Sequence, residues 1–225
     1  MEKPTNHPTS VLQRPDTDHG QLRRPTRQGW WGVAFVVINL ICQGAVALPE
    51  TSHTTSFISA YYSAHRAAIT LTQLGELIIT VAIWRWVRAL GASQPDARAQ
   101  QKLRWCSWAT VGSSLLTTAP VLALALLPHQ SEHLTRRLAT WTDLSDVVLF
   151  VVVAAIGLVC AGTSFPRWMR ISGMILTLLA ISRIALYFVH STVLDNWAAL
   201  AFMAFILATS IRLLRRPRPA RAASG

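Results

Sequence analysis

Four ionisable residues stand in runs that are otherwise apolar. They are Glu76 in "ITLTQLGELIITVAIW", Asp143 and Asp146 in "WTDLSDVVLFVVVAAIG", and Arg183 in "LLAISRIALYFVHS". A charge held in hydrocarbon costs a few kcal/mol on insertion scales, so such groups face a bundle interior or a watered cavity and find partners there. Carboxylates and a guanidinium at similar depth can form a buried ion pair, hold a ligand or ion, or pass a proton. At about 1.5 Å of rise per residue, Arg183 lies about 10 Å from His190 along a helix, and Asp146 about 7 to 8 Å from Trp141. Glu76 lies about 15 Å from Arg66, one turn further in than the other two.

Residues three, four and seven apart share a helix face. That spacing joins Arg183, Tyr187 and His190 into one stripe, Arg66, Thr70, Gln73, Glu76 and Thr80 into a second, and Asp143, Asp146 and Phe150 into a third. Asn39 with Gln43, and Ser107, Thr110, Ser114 and Thr117, extend the pattern to two further segments. The candidate polar cluster is therefore Gln73, Glu76, Asp143, Asp146, Arg183, Tyr187 and His190. Its structural role would be to bind the bundle together, with an Arg183–Asp146 ion pair and small residues such as Gly157 and Ala161 letting helices approach. Its functional role would be a polar pocket for a small ligand, proton or ion.

The elements that must carry these stripes follow from composition. The 225 residues are 52% hydrophobic and only 14% charged, and their mean hydropathy is positive. Apolar windows of about 20 residues, enough to cross roughly 30 Å of hydrocarbon, fall near 29–48, 66–88, 105–127, 141–163, 168–190 and 193–214. The expected fold is all-α, a polytopic bundle of six transmembrane helices over 29–214. A basic tail precedes it at 1–28 and another follows at 215–225. The connections are too short for a soluble catalytic domain.

The net charge of +11 is better explained by position than by nucleic acid. Placing both termini in the cytoplasm puts Arg23, Arg24, Arg27, Arg85, Arg88, Arg98, Lys102, Arg104, Arg167, Arg170, Arg212, Arg215 and Arg216 inside, and leaves Arg66, Arg136 and Arg137 outside. That asymmetry is the positive-inside pattern of a multi-pass plasma-membrane protein, with basic clusters that touch anionic headgroups. The nine tryptophans all sit near the proposed span ends, as an interfacial belt would. The basic flank, apolar run and "AVA" of the first window also fit a cleaved signal peptide. Asn39 and Gln43 interrupt the run, however, and favour a retained helix.

Several motifs imitate catalytic ones. "HQSEH" sets His129 and His133 at the spacing of a zinc pair, but a short connection after Pro128 offers no third ligand or cleft. Five histidines, His53, His65, His129, His133 and His190, fall on one side of this topology, where a metal- or pH-responsive sensor could use them. "SRIALYFVHSTVLD" is similar to the S-R…H…D signature of membrane phosphatases acting on lipid phosphates, with Arg183 and His190 as the reactive pair. Each interval is one residue too long, which turns a helix by about 100°. "VGSSL" lacks the second glycine of a serine-hydrolase site. Cys42, Cys106 and Cys160 are odd in number, lack metal-ligand spacing and read as packing residues.

The stretches "ISAYYSAHRAAITLTQLGELIITVAIWRWVRALGA" and "FPRWMRISGMILTLLAISR" resemble bacterial multi-spanning membrane proteins of unknown function. In these an aromatic entry ending in His-Arg opens the second helix and a "PRW" turn opens the fifth. The resemblance implies a six-helix bundle and no particular activity. The expectation is thus a binding, transport or accessory subunit without catalytic chemistry or cofactor. Its ligand is small and unidentified, and its partners are the bilayer and either a second copy or a membrane subunit.

Overall fold

Three helix starts in this chain, those of the helices opening at Thr55, Ala97 and Glu132, are set by capping side chains rather than by hydropathy. The computed structural model describes residues 27–49, 53–127, 131–162, 164–188 and 195–215. Seven α-helices and no strand occur among them: α1 (Trp30–Ala45), α2 (Thr55–Ala64), α3 (Arg66–Ala92), α4 (Ala97–Leu126), α5 (Glu132–Cys160), α6 (Arg167–Tyr187) and α7 (Asp195–Arg215). Asp96 caps α4 by accepting the Arg98 N–H at 2.9 Å. Ser131 caps α5 by accepting the Leu134 N–H at 3.3 Å. These caps satisfy N–H groups that the first turn leaves without partners. They start both helices two turns or more before the apolar windows at 105 and 141, because the intervening Ala, Gln, Lys, Leu and Arg residues are good helix formers whatever their polarity.

Five helices, α3 to α7, are long and apolar enough to cross a membrane. The sixth expected span is shorter than 29–48: α1 has 16 residues and gives way at Val46 to extended backbone. Pro49 reinforces that exit, since a residue before proline is pushed out of the helical region. The helix α2 was absent from the expected layout, which assigned 49–65 to a loop. It begins at Thr54, whose hydroxyl accepts the Phe57 N–H at 3.4 Å, and ends at His65, directly before α3.

The packing order closes a ring. Each of α3, α4, α5, α6 and α7 packs on the next, and α1 closes the circle against α3 and α7. The ring is filled by two apolar clusters. The larger holds Trp86, Leu90, Ile156, Leu176, Phe202 and Ile206. A smaller one joins Ile58 and Tyr62 of α2 to Ile69, Val121, Leu124 and Ala139 at the other end of the bundle. Outward faces carry Leu71, Ile78, Leu115, Val151, Leu158, Ile175, Leu178 and Ile181, all exposed. An apolar exterior of that extent belongs in lipid, and the chain is a helical multi-pass membrane protein.

Trp86 departs from the interfacial belt expected of all nine tryptophans. It is fully buried, edge-on to Phe205 at 6.3 Å, in the space left by Gly32, where a Cβ would lie 2.7 Å from the Trp86 ring. Seven of the other eight, Trp30, Trp31, Trp105, Trp108, Trp141, Trp168 and Trp197, are exposed, and Trp84 is half-buried. A tryptophan near a helix end can thus serve either layer, depending on whether a glycine faces it.

Candidate functional site

Between the two apolar clusters the ring encloses a cavity of about 480 Å³ bounded by α1, α3, α4 and α5. Its charged lining is Glu76 from α3 and Asp146 from α5, and the two carboxyl groups interact electrostatically. The neutral polar lining comes from Asn39 and Gln43 on α1, Thr72 and Gln73 on α3, Ser114, Thr117 and Thr118 on α4, and Thr142 on α5. The exposed members, Gln43, Ala47 and Leu48, sit at the end of α1 and on the extended segment after it, which makes that side the mouth.

Local structure explains why these residues converge. Thr72 and Glu76, Thr142 and Asp146, and Ser114 and Thr118 are each one helical turn apart, so each helix turns a continuous polar edge inward. Gly75 lets α1 come close enough to α3 to complete the wall: a Cβ there would stand 2.5 Å from the Cys42 Sγ. Pro120 interrupts the backbone hydrogen bonding of α4 beside Thr117, Thr118 and Val121 of the lining, since proline has no N–H to donate.

Three of the five hydroxyls of the cavity are committed as donors. Thr72 donates to the Ala68 carbonyl at 2.9 Å, Thr117 to Ser113 at 3.1 Å and Thr142 to Leu138 at 3.1 Å. Their oxygen lone pairs, rather than their protons, are left for a guest. Gln73 is 5% exposed, lines the cavity, and its amide makes no hydrogen bond to protein among the described residues. The amide therefore opens onto the cavity, where water or a guest group can satisfy it.

The expected stripes divide at this point. Gln73, Glu76 and Asp146 share the cavity, and Asn39, Gln43, Ser114 and Thr117 join them. Arg66 and Thr70 instead line a separate groove beside Leu126, and the Arg66 guanidinium donates to the Leu126 carbonyl at 3.4 Å. Arg183 is outside the cavity lining; its guanidinium lies over the Phe150 ring, 5.5 Å from the centroid, a cation–π arrangement. Asp143, Asp146 and Arg183 all act electrostatically on Tyr187, so the α5–α6 seam gathers charge beside the cavity. His190 and His129 lie outside the described residues. Among those described, no group of three or more His, Cys, Asp or Glu is placed to hold a metal ion. Thr72, Thr118, Thr142 and Cys42 were missed as lining residues, although the turn-spacing of the threonines from Glu76, Ser114 and Asp146 carried the signal.

The cavity's mouth rests on α2. Tyr61 donates its hydroxyl to the Ala47 carbonyl at 2.6 Å and stacks on the His65 ring at 4.2 Å. Tyr62, about 100° further round α2 and edge-on to the Tyr61 ring at 6.4 Å, is buried in the smaller apolar cluster. Burial, with smaller contributions from Asp143 and Tyr61, pushes its phenol up to about 12.

Fold and site together define a class: a helical multi-pass membrane protein with an acidic, polar cavity inside its bundle. No family model, curated protein or solved structure matches the chain.

Proposed function

We propose that the chain is an integral plasma-membrane protein that crosses six times with both termini cytoplasmic. In this reading it binds a small polar ligand in the α1–α3–α4–α5 cavity as a binding, transport or accessory subunit. The sixth crossing is α1 with its extension: 16 residues of helix rise about 24 Å, and Val46 to Leu48 add roughly 10 Å at strand rise. The basic residues at the ends of α3, α6 and α7 support the orientation. In it the cavity mouth and α2 face outward. The observation that carries the reading is a roomy polar cavity, walled by four helices, that leaves the Gln73 amide without a protein partner among the described residues. No nucleophile–base pair is needed to explain that arrangement.

Neighbouring residues of α4 test it. Ser114 lines the cavity, whereas Leu115 is on the outer surface of the bundle. In a background with the three native cysteines replaced by alanine, Ser114→Cys should react from outside intact cells with a charged, impermeant thiol reagent. Leu115→Cys should not, because a thiol in hydrocarbon does not ionise. Equal reaction at both positions, or none at Ser114→Cys, overturns the reading.

A further inference from the structure

Where α3 ends and α4 begins, Arg88 and Arg104 line one pocket of about 410 Å³. Arg88 and Gly91 are a turn apart on α3, and Gln101 and Arg104 are a turn apart on α4, so each helix gives one edge to the pocket. Gly91 lets the two helices close behind it: a Cβ there would stand 3.3 Å from the Leu103 Cβ.

The lining is basic and unneutralised. It contains no Asp or Glu. Asp96, the nearest carboxylate in the sequence, has both oxygens engaged, one with the Arg98 N–H at 2.9 Å and the other with the Ser164 hydroxyl at 3.4 Å. Neither the Arg88 nor the Arg104 guanidinium makes an ion pair or hydrogen bond with another described residue. Arg88 is held over the Trp84 ring instead, 5.7 Å from its centroid, and a cation–π contact consumes none of its N–H donors. The Gln101 amide also makes no hydrogen bond among the described residues. Two free guanidiniums and an amide on one pocket fit an anion with several acceptor oxygens, which the arginine fork grips two at a time.

The setting selects the kind of anion. One turn deeper on each helix, Trp84 and Trp108 meet with ring centroids 5.7 Å apart, and tryptophan marks the headgroup level of a bilayer. Val81, seven residues before Arg88, and Leu115, seven after Trp108, share those faces and are exposed. A phosphate at the arginines therefore stands above an aromatic seam and an apolar surface that runs into hydrocarbon. That suits a molecule carrying acyl chains, whereas a free anion has no use for the apolar surface. Basic pockets between spans recognise anionic headgroups in this way, and the volume is within the usual range for a small bound group.

We propose that this pocket binds the phosphate of an anionic glycerophospholipid, with Arg88 and Arg104 as its donors and the Trp84–Trp108 seam beneath the glycerol. The site requires only that the bundle crosses a bilayer. It stands apart from the α1–α3–α4–α5 cavity, and the thiol labelling that tests the cavity does not bear on it.

Native mass spectrometry of the full chain, offered equal amounts of dioleoyl phosphatidylglycerol and dioleoyl phosphatidylcholine, tests the site. Phosphatidylglycerol should be retained about tenfold or more in preference, because the choline cation meets the arginines with the wrong sign. Its binding should saturate at one lipid per chain and should raise the melting temperature. Arg88→Gln and Arg104→Gln should each weaken retention by about fivefold. Arg98→Gln, the same charge change outside the lining, should leave it unaltered. Inorganic phosphate at millimolar concentration should not displace the lipid. Both arginines are exposed, so the core does not depend on them; should a variant nonetheless fail to fold, the stoichiometry and the phosphate competition on the unsubstituted protein decide. Equal retention of the two lipids, retention that does not saturate, or equal losses in all three variants overturns the site in favour of diffuse attraction to a basic surface. Displacement by inorganic phosphate overturns the lipid assignment in favour of a free anion.

Discussion

The Tyr61 hydroxyl donates to the Ala47 carbonyl across 2.6 Å, so a ten-residue helix lying outside the ring holds the extended segment that forms the cavity mouth. Ala47 lies beyond the end of α1 and has no helical partner for its carbonyl. The stacked His65 ring, whose Nδ1 also lies 3.0 Å from the Tyr61 carbonyl, fixes the phenol's direction. The bond therefore couples α2 to access rather than to the core.

Tyr61→Phe keeps the ring and removes only the donor. It should cost about 1 kcal/mol of stability, the usual net worth of one hydrogen bond. It should also speed labelling of Ser114→Cys by loosening the mouth. Labelling kinetics and a melting curve on the same preparation separate the two effects; an unchanged labelling rate would mean that the mouth is held elsewhere.

The α5–α6 seam depends on two glycines that face each other. A Cβ on Gly157 would stand 2.7 Å from the Gly173 carbonyl oxygen and 2.6 Å from the Thr177 Oγ1, and one on Gly173 would stand 2.6 Å from the Gly157 carbonyl oxygen. Backbone cannot yield as a side-chain tip can, so the helices must separate. Thr177, which donates to the Ala154 carbonyl across the seam at 3.2 Å, would be drawn away with them. Gly157→Ala and Gly173→Ala should each destabilise the bundle by about 1 to 3 kcal/mol. Gly112→Ala, where a Cβ meets nothing within 4 Å, should leave it unchanged or slightly stabilised. Thermal unfolding in detergent compares all three.

These relationships show which physics a linear sequence carries. The cost of charge in hydrocarbon and the spacing of helical turns single out Gln73, Glu76 and Asp146 without a structure, and hydropathy finds the five long helices. Helix ends are different: windows follow apolarity, whereas Asp96 and Ser131 start their helices inside polar sequence. Periodicity assigns a face to each helix but not the neighbour that face meets. For that reason Arg66 and Thr70 part from Gln73 and Glu76, and Arg183 packs on Phe150 beside the cavity. Trp86 obeys the composition rule for interfacial tryptophan and is nevertheless core, because the glycine that makes room for it lies 54 residues away at Gly32. The helix α2 was legible only in Thr54, a residue type that caps helices, before a stretch too short to be a span.

Tyr62 makes the α2 contact sensitive to alkali. Its phenol titrates at about 12 in the folded protein, against about 10 in an unfolded chain. Below pH 10 both states keep the proton, and the contact contributes fully. Between about pH 10 and 12 the unfolded chain loses its proton while the folded one keeps it, so stability falls as pH rises, by up to about 2 to 3 kcal/mol. Above 12 both are ionised and the loss is complete. Burial is the larger cause, and the nearby Asp143 and Tyr61 add to it. Tyr62→Phe removes the titrating group and keeps the ring in the cluster with Ile58, Ile69 and Val121. The difference in melting temperature between Tyr62→Phe and the unsubstituted protein should be small at pH 8 and should widen in favour of the variant from pH 10 upward. A constant difference across that range would mean that α2 leaves its site before Tyr62 ionises, and that the outer apolar cluster is not part of the same cooperative unit as the ring.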